Sequence, residues 1–211
     1  LLVVCGSATS WILSNLSRNR GGLYGRLTCE IKLPPFNLKE CEDYFKNENI
    51  EMSRYDIVQS YMVFGGIPYY LSYFKKGMSF EGNADNILFG KNQRLKDEFN
   101  RLFNAIFSNP EDCKKIIRLL AKKHVGFTRE EIAKETGLPF GGGLTDTLNA
   151  LVESDFIQRY RPYNVSGKVS FYKLIDNFSL FWLKYVEPNT EDINFMTDNM
   201  TSNIMRVWRG I

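Results

Sequence analysis

The stretch from Pro110 to Ile175 constrains the fold most, because several independent local signals fall there in an order that few architectures accept. Glu111 to His124 sets Cys113, Ile116, Ile117, Leu119 and Leu120 at helical spacing. Thr128-Arg129-Glu130-Glu131 follows as a capping box, in which the threonine oxygen and the Glu131 carboxylate satisfy backbone amides at a helix start. The helix it opens runs through Ile132 and Ala133 to Gly137, which suits the left-handed backbone just past a helix end. Gly141-Gly142-Gly143 leads into a third helix lined by Leu144, Leu148, Leu151 and Val152. Phe156 to Tyr163 then alternates like a strand, Asn164 to Lys168 turns, and Val169 to Ile175 alternates again. Three helices and a β-hairpin in that order predict a winged helix-turn-helix over residues 110–175.

A fold of this kind does not fix a function. A third helix that reads DNA carries arginine, lysine, asparagine or glutamine into the major groove. Here Gly142 to Asp155 contains Asp146, Glu153 and Asp155 and no lysine or arginine, so its charge repels phosphate; only Thr145 and Asn149 offer contacts to bases. The hairpin is better supplied, with Arg159, Arg161 and Lys168 available for nucleic-acid backbone or partner contacts. The first helix adds Lys114, Lys115, Arg118, Lys122 and Lys123. Over all 211 residues, 27 lysines and arginines against 24 acidic residues leave only +3, so any basic surface is local.

Upstream, the pattern predicts a helical bundle over residues 37–109. Asn37 to Glu48 and Ser53 to Phe64 read as helices, the second with Ser53 as its cap. Gly65-Gly66-Ile67-Pro68 breaks the pattern, and Tyr69, Tyr70, Leu71, Tyr73 and Phe74 read as core between helices rather than a base-stacking platform. From Lys91 to Asn109, Leu95, Phe99, Leu102, Phe103 and Ile106 form one helical stripe. The apolar run Leu1 to Val4, ending at Cys5-Gly6-Ser7, has the pattern of a parallel strand covered on both faces, and Leu27 to Leu33 is its nearest neighbour candidate. Residues 1–36 are therefore expected to be the trailing part of a larger α/β domain, closed by Pro34-Pro35, and residues 176–211 a closing helical segment.

Several chemistries find no support. Cys5, Cys29, Cys41 and Cys113 are scattered, and His124 is the one histidine, so zinc and disulfide frameworks are poor fits and nucleophile–histidine catalysis has no partner in sequence. No apolar run approaches the roughly 20 residues a membrane span needs, which leads to the expectation of a soluble, cytoplasmic protein with no membrane partner. No phosphate-cradling G-x-x-x-x-G-K-[ST] occurs: Gly90-Lys91 and Gly167-Lys168 lack its other residues. A glycine-rich loop with three arginines does occur, Arg18-Asn19-Arg20-Gly21-Gly22-Leu23-Tyr24-Gly25-Arg26.

The segments VVCGSATSWI, GGLYGRLTCEIKLPPFNLKEC and SYMVFGGIPYYL resemble the bacterial branch of the archaeal-type P-loop ATPases of the AAA/STAND group. The resemblance implies a mainly α chain with small β: the C-terminal remnant of an α/β P-loop ATPase core (1–36), a helical lid (37–109), the winged helix-turn-helix (110–175), and a helical linker (176–211) towards a nuclease-like domain. Phe178-Ser179-Leu180-Phe181-Trp182 and Trp208-Arg209-Gly210 match the pattern that marks that junction. By the same resemblance, Ser7 stands at a sensor-like position near the γ-phosphate, and Arg26 is a candidate for stabilising phosphate charge or an intersubunit contact. ATP and Mg would then bind the longer parent protein; a chain without Walker A and Walker B segments is expected to bind neither and to be inactive alone. The implied function is a nucleotide-driven switch whose lid and winged helix relay nucleotide state to a protein or DNA partner. The alternative is a DNA-binding winged-helix regulator without ATPase activity, and a third reading is a protein-interaction scaffold.

Overall fold

The computed structural model describes residues 5–6, 28–89, 94–163, 169–189, 201 and 204–205. Its elements in chain order are α1 (Leu38–Asn47), α2 (Arg54–Phe64), α3 (Pro68–Leu71), α4 (Phe80–Ala84), α5 (Glu98–Ile106), α6 (Pro110–Leu120), β1 (Phe127–Thr128), α7 (Arg129–Thr136), α8 (Gly142–Glu153), β2 (Ile157–Tyr160), β3 (Phe171–Leu174) and α9 (Asn177–Phe181). The protein is mainly helical with one small antiparallel sheet, as the sequence leads one to expect. It divides into two compact units. A helical unit comprises Leu33–Phe99 and Asn177–Ile211, and a mixed unit comprises Asn100–Asp176 with Leu1–Lys32.

The helical unit starts its helices by local chemistry. Asn37 with Glu40, and Ser53 with Asp56, form reciprocal capping boxes at α1 and α2, and Pro68 occupies the first turn of α3, where its missing N–H is not needed. At Gly65 the backbone turns left-handed (φ 64°), which ends α2. Gly66 follows, and its carbonyl accepts from the Phe36 amide at 2.7 Å. A Cβ at Gly66 would meet the Phe36 carbonyl oxygen at 1.8 Å, so only glycine permits this approach.

Rings fill the core of this unit. Phe74 sits 5.1 Å from Phe45 and 5.4 Å from Phe64, Tyr70 sits 4.7 Å from Phe178, and Phe99 stacks on Trp182 at 4.8 Å with the planes 5° apart. Residues 176–211 read from sequence as a segment apart. In the structure α9 and its continuation as a π-helical turn, Trp182–Val186, pack in the same unit as residues 37–99. Asn177 donates from Nδ2 to the Tyr61 carbonyl at 3.0 Å, and the Trp182 indole donates to the Lys96 carbonyl at 3.1 Å. The stripe from Lys91 to Asn109 reads as one helix, but regular helix covers only α5, and Leu95, fully buried, sits in the turn before it.

In the mixed unit the Thr128–Glu131 capping box forms as its sequence predicts, and Gly137 ends α7 in the left-handed region (φ 72°). The first helix stops at Leu120 rather than His124, and residues 121–122 and 124–125 form turns. Strands β2 and β3 pair antiparallel with Ile157 opposite Leu174 and Tyr160 opposite Phe171. Phe127 and Thr128 add a third strand outside the hairpin, giving the order β1-β3-β2. Ile116, Ile117, Ile132, Leu148 and Leu151 are fully buried, and Phe156 packs 4.8 Å from Phe103.

The strand expected over Leu27 to Leu33 does not form among the described residues: residues 29–36 carry no regular secondary structure, with Ile31 and Leu33 exposed. A strand needs a ladder, and none of the described residues supplies one. Lys32 instead pairs with Asp155 at 2.6 Å and donates to the Glu153 carbonyl at 3.1 Å.

Candidate nucleic-acid interface

The hairpin strands give the mixed unit a basic edge. Between Ile157 and Leu174 lie Arg159, Arg161, Lys168 and Lys173 and no acidic residue. Between Arg129 and Glu153, in α7 and α8, two cations, Arg129 and Lys134, face five carboxylates, Glu130, Glu131, Glu135, Asp146 and Glu153. The hairpin is thus +4 and the helix pair −3 by formal charge. The contrast arises within one small unit, where it sets which face a polyanion approaches.

Strand register sorts the hairpin side chains by face, since residues directly opposite share a side. Ile157, Arg159, Tyr172 and Leu174 share one side; Tyr172 and Ile157 are buried there, while Arg159 reaches solvent. Gln158, Tyr160, Phe171 and Lys173 share the other, outer side. On it the Tyr160 and Phe171 rings lie 6.0 Å apart, and the Lys173 ammonium stands 5.3 Å from the centre of the Tyr160 ring. Arg159, Tyr160, Arg161 and Ser170 line an open recess of about 340 Å³, and Arg161 and Tyr163 are exposed beyond the strand end.

The third helix is less well equipped. Asp146 and Asn149 are exposed, but the Thr145 hydroxyl turns back to the Gly141 carbonyl at 3.3 Å. Arg129 is also engaged: it donates to the Gly141 carbonyl at 2.7 Å and lies 4.2 Å from the centre of the Phe140 ring. Of the residues the sequence singles out, Arg159 and Arg161 stand together at the hairpin recess. Ser7, Arg26 and Lys168 lie outside the described residues, so the nucleotide-proximal pair has no geometry to report.

A larger recess, about 530 Å³, lies in the helical unit between α1 and α2, floored by Phe45, Ile50 and Ile57. Its rim charges neutralise one another: Glu42 accepts from Arg54 at 3.2 Å and pairs with Lys46 at 3.3 Å, and these two cations hold its carboxyl below the usual carboxylate range. Among the described residues no three His, Cys, Asp or Glu side chains gather as a metal site, and no helix is long and apolar enough to cross a membrane. Among the described residues, the recess at Arg159 and Arg161 joins an opening to cations that no described carboxylate pairs.

No family model matches the chain, and no solved structure matches it. The chain is similar to a curated protein of Methanocaldococcus jannaschii, "Uncharacterized protein MJECL04", with 30% identity over 194 residues. The match takes in 91% of this chain and 42% of that relative, so the chain spans less than half of the relative's length.

Proposed function

We propose that the chain is the lid and winged-helix portion of an ATP-driven switch, and that its output is the basic hairpin, which contacts the sugar-phosphate backbone of nucleic acid. The observation that carries this reading is the charge division inside residues 110–175: a hairpin with four cations and no carboxylate beside a helix pair with net charge −3. What supports the winged-helix reading is the element order, three helices and then a hairpin, with the short strand β1 joining β3 at the sheet edge. In such a module the third helix usually enters the major groove. Here its carboxylates oppose that, and docking through the hairpin keeps them away from phosphate. Contacts of this kind position a protein on nucleic acid without reading bases, so binding is salt-dependent and weakly sequence-selective.

Binding of the chain to a short fluorescent duplex, followed by anisotropy as salt is raised, tests the output. Arg159→Ala with Arg161→Ala should weaken binding about tenfold or more at low salt, and equal binding by this variant would remove the role given to the hairpin.

The nucleotide half of the proposal rests on the resemblance of the VVCGSATSWI and GGLYGR segments to P-loop ATPases. It places Ser7 and Arg26 near the γ-phosphate of ATP held, with Mg, by P-loop residues of a longer parent chain. Loss of the γ-phosphate would then bias the lid between two arrangements, the general logic of nucleotide switches. The M. jannaschii relative has more than its matched length left over for further domains, in keeping with this. In the parent protein Arg26→Ala should reduce ATP turnover at least tenfold; unchanged turnover would strip Arg26 of the role.

A further inference from the structure

We infer that the duplex-contacting surface does not end at the hairpin but extends to the turn after α6, where Lys122 and Lys123 take a second stretch of phosphate backbone. The inference rests on the reading of the hairpin given above, and extends it to residues more than 30 positions earlier in the chain.

Two contacts bind that turn to the sheet. Gly126 has φ 77°, and a Cβ there would meet the Tyr172 carbonyl oxygen at 2.0 Å, so the turn lies directly on β3. From the hairpin side, the Tyr160 hydroxyl donates to the Val125 carbonyl at 2.5 Å, across 35 residues of sequence. The basic turn and the basic hairpin are thus fixed to the same side-chain, Tyr160. Its ring also carries Lys173, and Lys123 lies 5.1 Å from the centre of the Phe127 ring, which the register sets on the side that Tyr172 and Arg159 share. Both ammonium groups are held over aromatic faces, which costs them less freedom on meeting a phosphate than a free lysine would lose.

The other end of α6 offers the contrast. There Lys114 is buried against Glu111 at 2.8 Å and Asn104 at 2.9 Å, and Lys115 faces Asp112 at 3.8 Å. Lys122, Lys123, Arg159, Arg161 and Lys173 have no carboxylate partner among the described residues, and all but Lys173 are exposed. Five such cations around one small sheet match the repeating charge of a duplex backbone. Lysines after a helix end also complement the helix dipole, but that role affects stability and leaves salt-dependent binding unchanged.

The test uses the 211-residue chain, a random-sequence duplex of about 20 base pairs, and affinity measured across a salt series. Each neutralised phosphate contributes about −0.9 to the slope of log affinity against log salt, so five contacts give a slope near −4.5. Lys122→Ala with Lys123→Ala should bring the slope up by about 1.8 and weaken binding about tenfold at low salt. Tyr160→Phe keeps every charge and removes the link, so it should weaken binding several-fold. A lysine variant that keeps the wild-type slope, beside an arginine variant that loses it, would overturn the extended surface and leave the hairpin reading standing. Absence of wild-type binding at low salt would overturn both. Polyglutamate competing as well as duplex, charge for charge, would assign the surface to an acidic protein instead and overturn the inference.

Discussion

The helical unit and the hairpin of the mixed unit handle charge in opposite ways. In the helical unit acids and bases meet on the helices that carry them: Lys39 with Asp43, Lys46 with Glu42, and Arg54 with the same Glu42. Its interior is a set of rings, from Phe45 and Phe74 to Phe99 and Trp182. The mixed unit has a largely aliphatic centre, Ile116, Ile117, Ile132, Leu148 and Leu151, and among the described residues its hairpin cations Arg159, Arg161 and Lys173 have no acidic partner. Surface ion pairs contribute little to stability, so the lesson concerns what each surface can meet rather than how firmly each unit holds. A self-neutralised surface has little to offer a polyanion, whereas an open cluster of arginine and lysine does.

The largest expected effects come from opening each core. Trp182→Ala in the helical unit and Phe156→Ala in the mixed unit should each cost about 3–5 kcal/mol, the range for buried aromatic rings. Each unit carries a buried thiol as a reporter: burial pushes Cys41 up to about 11 and Cys113 up to about 12, so neither reacts readily in the native state at pH 8. Once the exposed Cys5 and Cys29 have reacted, thiol labelling under mild denaturant should modify Cys41 before Cys113 in Trp182→Ala and Cys113 before Cys41 in Phe156→Ala. Simultaneous labelling of both in both variants would mean that the two units share one unfolding transition.

Next come the glycines at which two backbones touch, one in each unit. Gly66→Ala drives a methyl into the Phe36 carbonyl and Gly126→Ala into the Tyr172 carbonyl, each costing at least about 1–3 kcal/mol. Gly126→Ala should be the worse of the two, because its φ of 77° adds the left-handed penalty. Gly142→Ala supplies the control, since it stands in open space in the first turn of α8; it should be neutral or raise stability by up to about 1 kcal/mol in a denaturant titration.

The smallest effects are those of pH. Glu42 and Glu111 both have carboxyls held below the usual range, by Arg54 and Lys46 in one case and chiefly by Lys114 in the other. A lowered folded value gives stability that is present above the unfolded carboxylate value of about 4.5 and is lost as pH falls through the folded value. Glu111→Gln should be felt more than Glu42→Gln near neutral pH, because Lys114 is 5% exposed while Arg54 and Lys46 lie open to water. Unfolding curves at pH 7 and pH 3.5 separate the two, and equal losses at pH 7 would remove the distinction.

Local chemistry is what made parts of this architecture readable. Ser53 and Thr128 announce helix starts because the cap bond closes within three residues, and Gly137 announces an end because one residue must turn left-handed. The hairpin strands were readable from alternation, and Arg159 and Arg161 from charge alone. Long-range placement was not. Strand β1 has two residues, too few for a period of two to register. The packing of Asn177–Val186 against the helices 116 residues earlier depends on contacts such as Asn177 to Tyr61, with no local trace. Lys122 and Lys123 were visible as charges, but their attachment to the hairpin runs through Tyr160 and Val125, which no sequence spacing links. Leu27 to Leu33 stood as the neighbour for the opening apolar run, but without a described ladder to join, since pattern sets which face is apolar and not whether a neighbour is there.

The central claim is that the hairpin, and not the third helix, meets the nucleic acid. Duplex affinity at low salt, measured side by side for Arg159→Ala/Arg161→Ala and for Thr145→Ala/Asn149→Ala, tests it most directly. The account predicts a loss of about tenfold or more in the hairpin variant and an unchanged affinity in the helix variant; the reverse pattern would place the third helix in the groove and contradict it.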